Sequence, residues 1–184
     1  MIYLASTSPR RKTLLRKAGL RFKALRPDYQ ETRLKVPPSQ LVRLHALGKA
    51  RACVRRIRQG TILAADTLVY LSGELIGKPR NLNQARRFLG KMQGRWHRVY
   101  TGVAVLQVDS GKIIKKTVFF EMTKVLIKKL TANQIESYFK RVHPLDKAGA
   151  YAIQSRRGGV VRDVKGSFSN AVGLPMEKLK RYLK

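Results

Sequence analysis

Three groups of residues in this chain are of the types that handle phosphate. The first is the run Ser6, Thr7, Ser8, Pro9, Arg10, Arg11 and Lys12. Ser8 reads as a helix N-cap and Pro9 suits the first helical position, with Leu14, Leu15 and Ala18 forming an apolar face before Gly19 closes the helix. Residues 1–4 read as a buried strand, so the hydroxyls and cations fall in a strand-to-helix turn. Outward backbone N–H groups, the positive end of the helix dipole and these side chains together describe an anion site of the kind that takes phosphate. A plain cap followed by a solvated basic turn is the simpler reading. Three cations beside the positive helix end oppose the dipole unless an anion neutralises them, which tilts the balance toward phosphate. The tilt is small, because Lys and Arg occur along the whole chain.

The second group is Asp66, which interrupts the most apolar strand signal, residues 61–71. The continuous apolar character there points to burial on both faces, as in the middle of an α/β sheet. A buried carboxylate costs on the order of several kcal/mol unless it is paired, hydrogen-bonded or bound to a metal, so Asp66 asks for a partner. The third group is cationic. Lys78 follows the Ser72-Gly73 hairpin turn and its return strand, and Lys49 and Arg51 lie in the later turns of a helix. Carboxylates, lysines and arginines beyond strand ends are what metal-assisted attack on a nucleoside polyphosphate requires. Neither G-x-x-x-x-G-K-[ST] nor G-x-G-x-x-G occurs, which argues against the two commonest nucleotide folds. His45 has no second His nearby, so it reads as a packed or solvated residue, and Cys53, the single cysteine, reads as core.

The elements that must position these residues follow from periodicity. Residues 21–25 alternate as a strand, and residues 26–32, which carry Glu31, read as a loop. Ser39 is the expected N-cap of a helix whose apolar period runs through Leu41, Val42, His45, Ala46, Ala50, Cys53, Val54 and Ile57 until Gly60. Asn81 caps the next helix, with Gln84 at its third position; strands follow over residues 96–107 and 112–126. Thr131 caps a helix over residues 134–142. Residues 145–154 form a Gly/Ala-rich segment with Asp146, Lys147, Tyr151 and Gln154; residues 160–165 read as a strand, 166–173 as a loop, and 175–183 as a last helix. No linker or composition shift divides the chain, so one domain over residues 1–184 is expected.

With 43% hydrophobic residues the chain is globular, although 40 Lys plus Arg face only 10 Asp plus Glu, a formal charge of +30. Such a field attracts polyanions, whether nucleotides, nucleic acid or an anionic membrane surface. The cations sit on every expected helix and form no single stripe, so most read as a general basic bias. No apolar run approaches the ~20 residues needed to span a bilayer, and nothing resembles a signal peptide, so the cytoplasm is the expected location with no membrane partner.

Six blocks then carry a resemblance. Residues 4–15 (LASTSPRRKTLL), 65–69 (ADTLV), 77–80 (GKPR), 94–103 (GRWHRVYTGV), 145–154 (LDKAGAYAIQ) and 166–175 (GSFSNAVGLP) resemble, in order and spacing, the motifs of the Maf family of nucleoside triphosphate pyrophosphatases. The resemblance implies an α/β fold similar to that of the inosine triphosphate pyrophosphatases, with a mixed, curved sheet flanked by helices, a cleft between two lobes and usually a homodimer. It implies hydrolysis between the α and β phosphates to a monophosphate and pyrophosphate, with a divalent metal cation, Mg2+ or Mn2+. By motif position Asp66 matches the catalytic carboxylate, accepting a proton from water or helping to hold the metal, and Glu31 matches a second acidic position serving the metal. Ser8 and Arg11 match the phosphate-binding turn, and Lys49 and Lys78 match lysines that neutralise the triphosphate. For Asp146 an ion pair that holds its loop weighs equally with a role in the reaction.

The branch of the family acting on dTTP and UTP is marked by Arg in the turn, Thr after the catalytic Asp, and Gln in the late block, and Arg10, Thr67 and Gln154 match all three. Gln can donate to a carbonyl of a uracil or thymine ring and accept from its N–H. The resemblance therefore implies dTTP and UTP as substrates, with modified pyrimidine triphosphates beside them. A branch acting on 7-methyl-GTP would carry an acid where Gln154 stands; the same reaction on that substrate or on a modified purine triphosphate is one rival reading. A basic nucleic-acid-binding protein without catalysis is another, and it leaves Asp66 unexplained and predicts clustered aromatics where these are scattered. Ala152 and Ser155 replace the usual glycines of the late block, and Asn81 stands where an acidic cap is common.

Overall fold

The structure, a computed structural model, describes residues 1–32, 34–154 and 159–183, so Ser155 lies outside the described residues. The elements run β1 (Ile2–Ala5), α1 (Pro9–Lys17), β2 (Phe22–Leu25), α2 (Pro38–Arg51), β3 (Gly60–Leu71), β4 (Glu74–Ile76), α3 (Leu82–Met92), β5 (Trp96–Asp109), β6 (Lys112–Ile127), α4 (Ala132–Arg141), β7 (Val161–Lys165), α5 (Phe168–Val172) and α6 (Met176–Leu179). The strands order as β2-β1-β3-β5-β6-β7, with β4 paired to β3. The pairing is mixed: β1 runs parallel to β2 and β3, with Ile2 opposite both Phe22 and Thr61, whereas β4 is antiparallel to β3 and β7 to β6. This is the mixed α/β sheet flanked by helices that the motif order implied.

Contacts divide the chain into two compact units, Met1–Thr67 with Thr101–Glu121 and Gly173–Lys184, and Leu68–Tyr100 with Met122–Val172. In the first unit, strand alternation sorts the core into two clusters. Leu63 and Ala65 of β3 and Val103 and Val105 of β5 pack with Leu15 of α1 and Leu179 of α6. Ile62 and Ala64 of β3 and Ala104 and Leu106 of β5 pack with Ala46 and Ala50 of α2. Helices on both faces explain why β3 is buried without interruption from Ile62 through Asp66. Helix α2 also lies against β5 at Gly102, where a Cβ would fall 2.2 Å from the Val42 carbonyl oxygen. The second unit packs α3 and α4 on its strands through Leu89, Met92, Val125, Ile127, Ile135 and Tyr138.

The caps at Asn81 and Thr131 form as expected. Asn81 Oδ1 accepts from Gln84 N at 2.9 Å, and Thr131 and Gln134 make a reciprocal capping box. Four expectations change. Ser39 is not the N-cap of α2, because the chain turns in at Pro37 and Pro38 takes the first helical position, leaving Ser39 inside the helix. Helix α2 stops at Arg51, and the apolar period beyond it belongs to a 3-10 turn, Val54–Arg56, which buries Cys53 and Ile57 in the same cluster. The expected loop over residues 166–173 contains α5, and the expected last helix is a short α6 followed by a 3-10 turn, Lys180–Tyr182. No helix among the described residues is long and apolar enough to cross a membrane.

Candidate active site

Asp66 and Thr67 are adjacent in β3 and address opposite faces of it. Asp66 shares its parity with Ile62 and Ala64, on the α2 side, and there Lys49 Nζ donates to Asp66 Oδ1 at 2.5 Å. Thr67 shares its parity with Leu63 and Ala65, on the α1 side, and there Arg11 Nη2 donates to Thr67 Oγ1 at 3.0 Å. The core pattern of the strand thus assigns each residue its helix. Asp66 is only 7% exposed, and the partner its burial demands is the Lys49 ammonium.

Lys49 Nζ also donates to Glu31 Oε1 at 2.5 Å. One cation is therefore held between two carboxylates, one from the core strand and one from the loop after β2. A hard divalent cation such as Mg2+ is ordinarily held by one or two carboxylates plus the substrate's phosphates, without a dedicated protein cage. Among the described residues no group of three or more His, Cys, Asp or Glu comes together; Glu31 and Asp66 are the two carboxylates here that could share a cation with phosphate oxygens.

The turn before α1 is ordered around Arg11. Its Nε donates to the Gly173 carbonyl at 2.8 Å and its Nη1 to Ser6 Oγ at 3.2 Å, in addition to the bond to Thr67. Burial pulls the guanidinium below its ordinary pKa, and Arg10 pulls the same way, while Asp66 and Glu31 push it back up. Ser8 occupies the N-cap with extended backbone, but its side chain makes no capping bond; its N–H is donated to Ser6 Oγ at 3.2 Å. Thr67 Oγ1 lies 3.0 Å from Thr101 Oγ1, so a buried hydroxyl supports the residue after the acid. Ser6 stands out in the sequence only as one donor of the turn, and neither Thr101 nor Gly173 is marked there. All three lie within the motif blocks, and only the contacts of Ser6 and Gly173 with Arg11 and of Thr101 with Thr67 reveal their part.

Lys78 and Gln154 belong to the second unit, and both are exposed on loops. The segments carrying them are tied by a bond from Gly149 N to the Gly77 carbonyl at 3.1 Å. Tyr151, just before Ala152, is buried with its hydroxyl 2.7 Å from Nε2 of His97, and the Ala152 N–H donates to Tyr138 Oη at 2.7 Å. Burial pushes the His97 imidazole down to about 4 and pushes the Tyr151 phenol up. Asp146 forms an ion pair with Lys147, whose Nζ also donates to the His143 carbonyl at 2.7 Å, so the loop-holding reading of Asp146 has a visible partner.

The Maf-like protein family model matches residues 1–184. A dTTP/UTP pyrophosphatase of Carboxydothermus hydrogenoformans is 39% identical over 183 residues, covering 100% of this chain and 97% of its own length. A dTTP/UTP pyrophosphatase of Moorella thermoacetica is 41% identical over 183 residues, covering 99% and 93% respectively. Among solved structures, the Ham1 protein of Staphylococcus aureus superimposes with a TM-score of 0.55 at 15% identity, over 99% of this chain and 97% of that one, which is a likeness of fold. Motif order, the carboxylates sharing Lys49 and a family match without gaps at either end lead to one assignment: the chain belongs to the Maf family.

Proposed function

We propose that this protein is a nucleoside triphosphate pyrophosphatase that hydrolyses dTTP and UTP to the monophosphate and pyrophosphate. The observation that carries the reading is the Lys49 ammonium held 2.5 Å from both Glu31 Oε1 and Asp66 Oδ1, two carboxylates whose charge also acts on Arg11 of the α1 turn. Family membership and the names of relatives at 39% and 41% identity support the choice of substrate. Water adds to a phosphorus of the α–β bridge, the bridging P–O bond breaks, and the proton lost by the water passes to Asp66. Glu31 and Asp66 would hold Mg2+ or Mn2+, which when bound neutralises phosphate charge and polarises the P–O bonds. Lys49 uses two of its N–H donors on the carboxylates and keeps a third for a phosphate oxygen. Ser8 and the N–H groups opening α1 receive further phosphate oxygens, with Arg11 holding the turn in shape and supplying charge. Arg10, Thr67 and Gln154 set the preference for a pyrimidine ring, and Lys78 adds charge for the triphosphate.

The test is a panel of nucleoside triphosphates assayed for pyrophosphate release with Mg2+ or Mn2+. Release from dTTP and UTP is expected, with Asp66→Asn lower by on the order of 10²–10⁴ if the carboxylate takes the proton. Activity confined to 7-methyl-GTP would move the substrate, and an Asp66→Asn enzyme as fast as the parent would remove the mechanism.

A further inference from the structure

Glu31 lies on the connection between β2 and α2, outside any helix or strand. Its carboxylate nevertheless meets Lys49 and, through it, Asp66. What holds the loop in that register is visible two residues earlier. The Tyr29 hydroxyl lies 2.9 Å from Nδ1 of His45, a side chain of α2 that is buried, and the two rings meet edge to face with centroids 5.8 Å apart. The phenol ring then packs against Gly48. A Cβ at position 48 would fall 2.1 Å from Tyr29 Cε2 and 2.5 Å from Cζ, distances no side chain tolerates, so a glycine is what admits the ring. Lys49 is the next residue. The turn of α2 that receives Tyr29 is therefore the turn that presents the ammonium to Glu31.

We propose that Tyr29, His45 and Gly48 form a seat on α2 that fixes the Glu31 loop, with Tyr29 as a positioning residue, and that this seat sets how tightly the site takes a divalent cation. The inference rests on the reading of Glu31 and Asp66 as the carboxylates that hold the cation. His45 then has a task that its isolation in the sequence conceals: it is neither a ligand nor filler, but the acceptor or donor that orients a phenol. The seat acts on the position of Glu31, whereas Asp66 is placed by its own strand.

The experiment is a Mn2+ titration of the full chain, following the electron paramagnetic resonance signal of the free ion, for the parent, Glu31→Gln, Tyr29→Phe and Gly48→Ala. Far-UV circular dichroism is recorded for each. Glu31→Gln is expected to weaken Mn2+ binding by about tenfold, since a charge-assisted ligand is lost. Tyr29→Phe keeps the ring over Gly48 and removes only the bond to His45, so a weakening of about fivefold is expected. Gly48→Ala displaces the ring itself and should weaken binding more than Tyr29→Phe. In dTTP hydrolysis the metal concentration for half-maximal rate should rise for Tyr29→Phe while KM for dTTP at saturating metal stays as in the parent, a split that general loosening of the fold would not produce. If Glu31→Gln weakens Mn2+ binding but Tyr29→Phe and Gly48→Ala bind as the parent does, the seat is wrong and the metal reading survives. If Glu31→Gln itself binds as the parent does, both fall. Should Gly48→Ala not fold, Tyr29→Phe decides alone.

Discussion

Arg11 sends three N–H donors to acceptors far apart in the chain, Ser6 Oγ, Thr67 Oγ1 and the Gly173 carbonyl. A lysine at this position keeps the charge but has no rigid fork with which to reach all three. Arg11→Lys should therefore lower stability by about 2 kcal/mol and slow dTTP hydrolysis, the first read from the urea midpoint. An unchanged midpoint would mean that charge alone suffices there. His97 makes the second residue-level case. Its Nε2 faces Tyr151 at 2.7 Å, its Nδ1 has no hydrogen-bond partner among the described residues, and it is 2% exposed. Burial holds its pKa at about 4 against an ordinary 6.5, so the folded protein keeps the ring neutral in a range where the unfolded chain protonates it. This contribution is complete above pH 6.5 and is lost as the pH falls through that window toward 4. The loss reaches about 3 kcal/mol. Urea unfolding of the parent and of His97→Gln across that range measures it: the steep acid limb should flatten in the variant, and equal slopes would refute the assignment to His97.

At the scale of elements, the contact between β5 and α2 makes the sharpest prediction. Gly102→Ala places a methyl group 2.2 Å from the Val42 carbonyl oxygen, so α2 must shift, and Lys49 with it. Overpacking of this kind costs roughly 1–3 kcal/mol, and calorimetry should show a fall of about 2–4 °C in Tm per kcal/mol, accompanied by lost activity. The same elements show what was legible beforehand. The apolar run of β3 announced burial on both faces, and Asp66 within it announced a partner, because transfer and pairing costs depend only on residue type and surroundings. That the partner is Lys49, and that Thr67 turns instead to Arg11, depends on which helix covers which face, and parity along one strand does not carry that information. Helix α5 escaped notice because five residues, Phe168–Val172, show less than two full turns of period. The end of α2 was overrun because Cys53 and Ile57 continue its apolar spacing while folding back into the same cluster from a 3-10 turn. Tyr29 gave no signal at all, since its role is a contact made from a loop.

For the molecule as a whole, ten acids cannot neutralise forty cations, even though Lys49, Arg86, Lys91, Lys147 and Lys178 find carboxylates among the described residues. A charge of +30 on one chain works against the compact state, because folding brings like charges closer together. Raising NaCl from about 20 mM to about 300 mM shortens the Debye length several-fold and should raise Tm, the reverse of what a fold resting on surface ion pairs would show. The same field should recruit phosphate chains other than the substrate's. Single-stranded RNA is expected to bind without sequence preference, and the logarithm of its affinity should fall linearly with the logarithm of salt concentration, by about 0.7 for each phosphate contacted. Because the cations are distributed over helices and strands alike, the slope should diminish in small steps as basic residues distant from Asp66 are replaced, while pyrophosphate release at saturating dTTP is retained. A salt-independent affinity, or no binding at low salt, would mean that the excess charge meets no polyanion and serves only the approach of nucleotides, in which case kcat/KM for dTTP and not RNA affinity would carry the salt dependence.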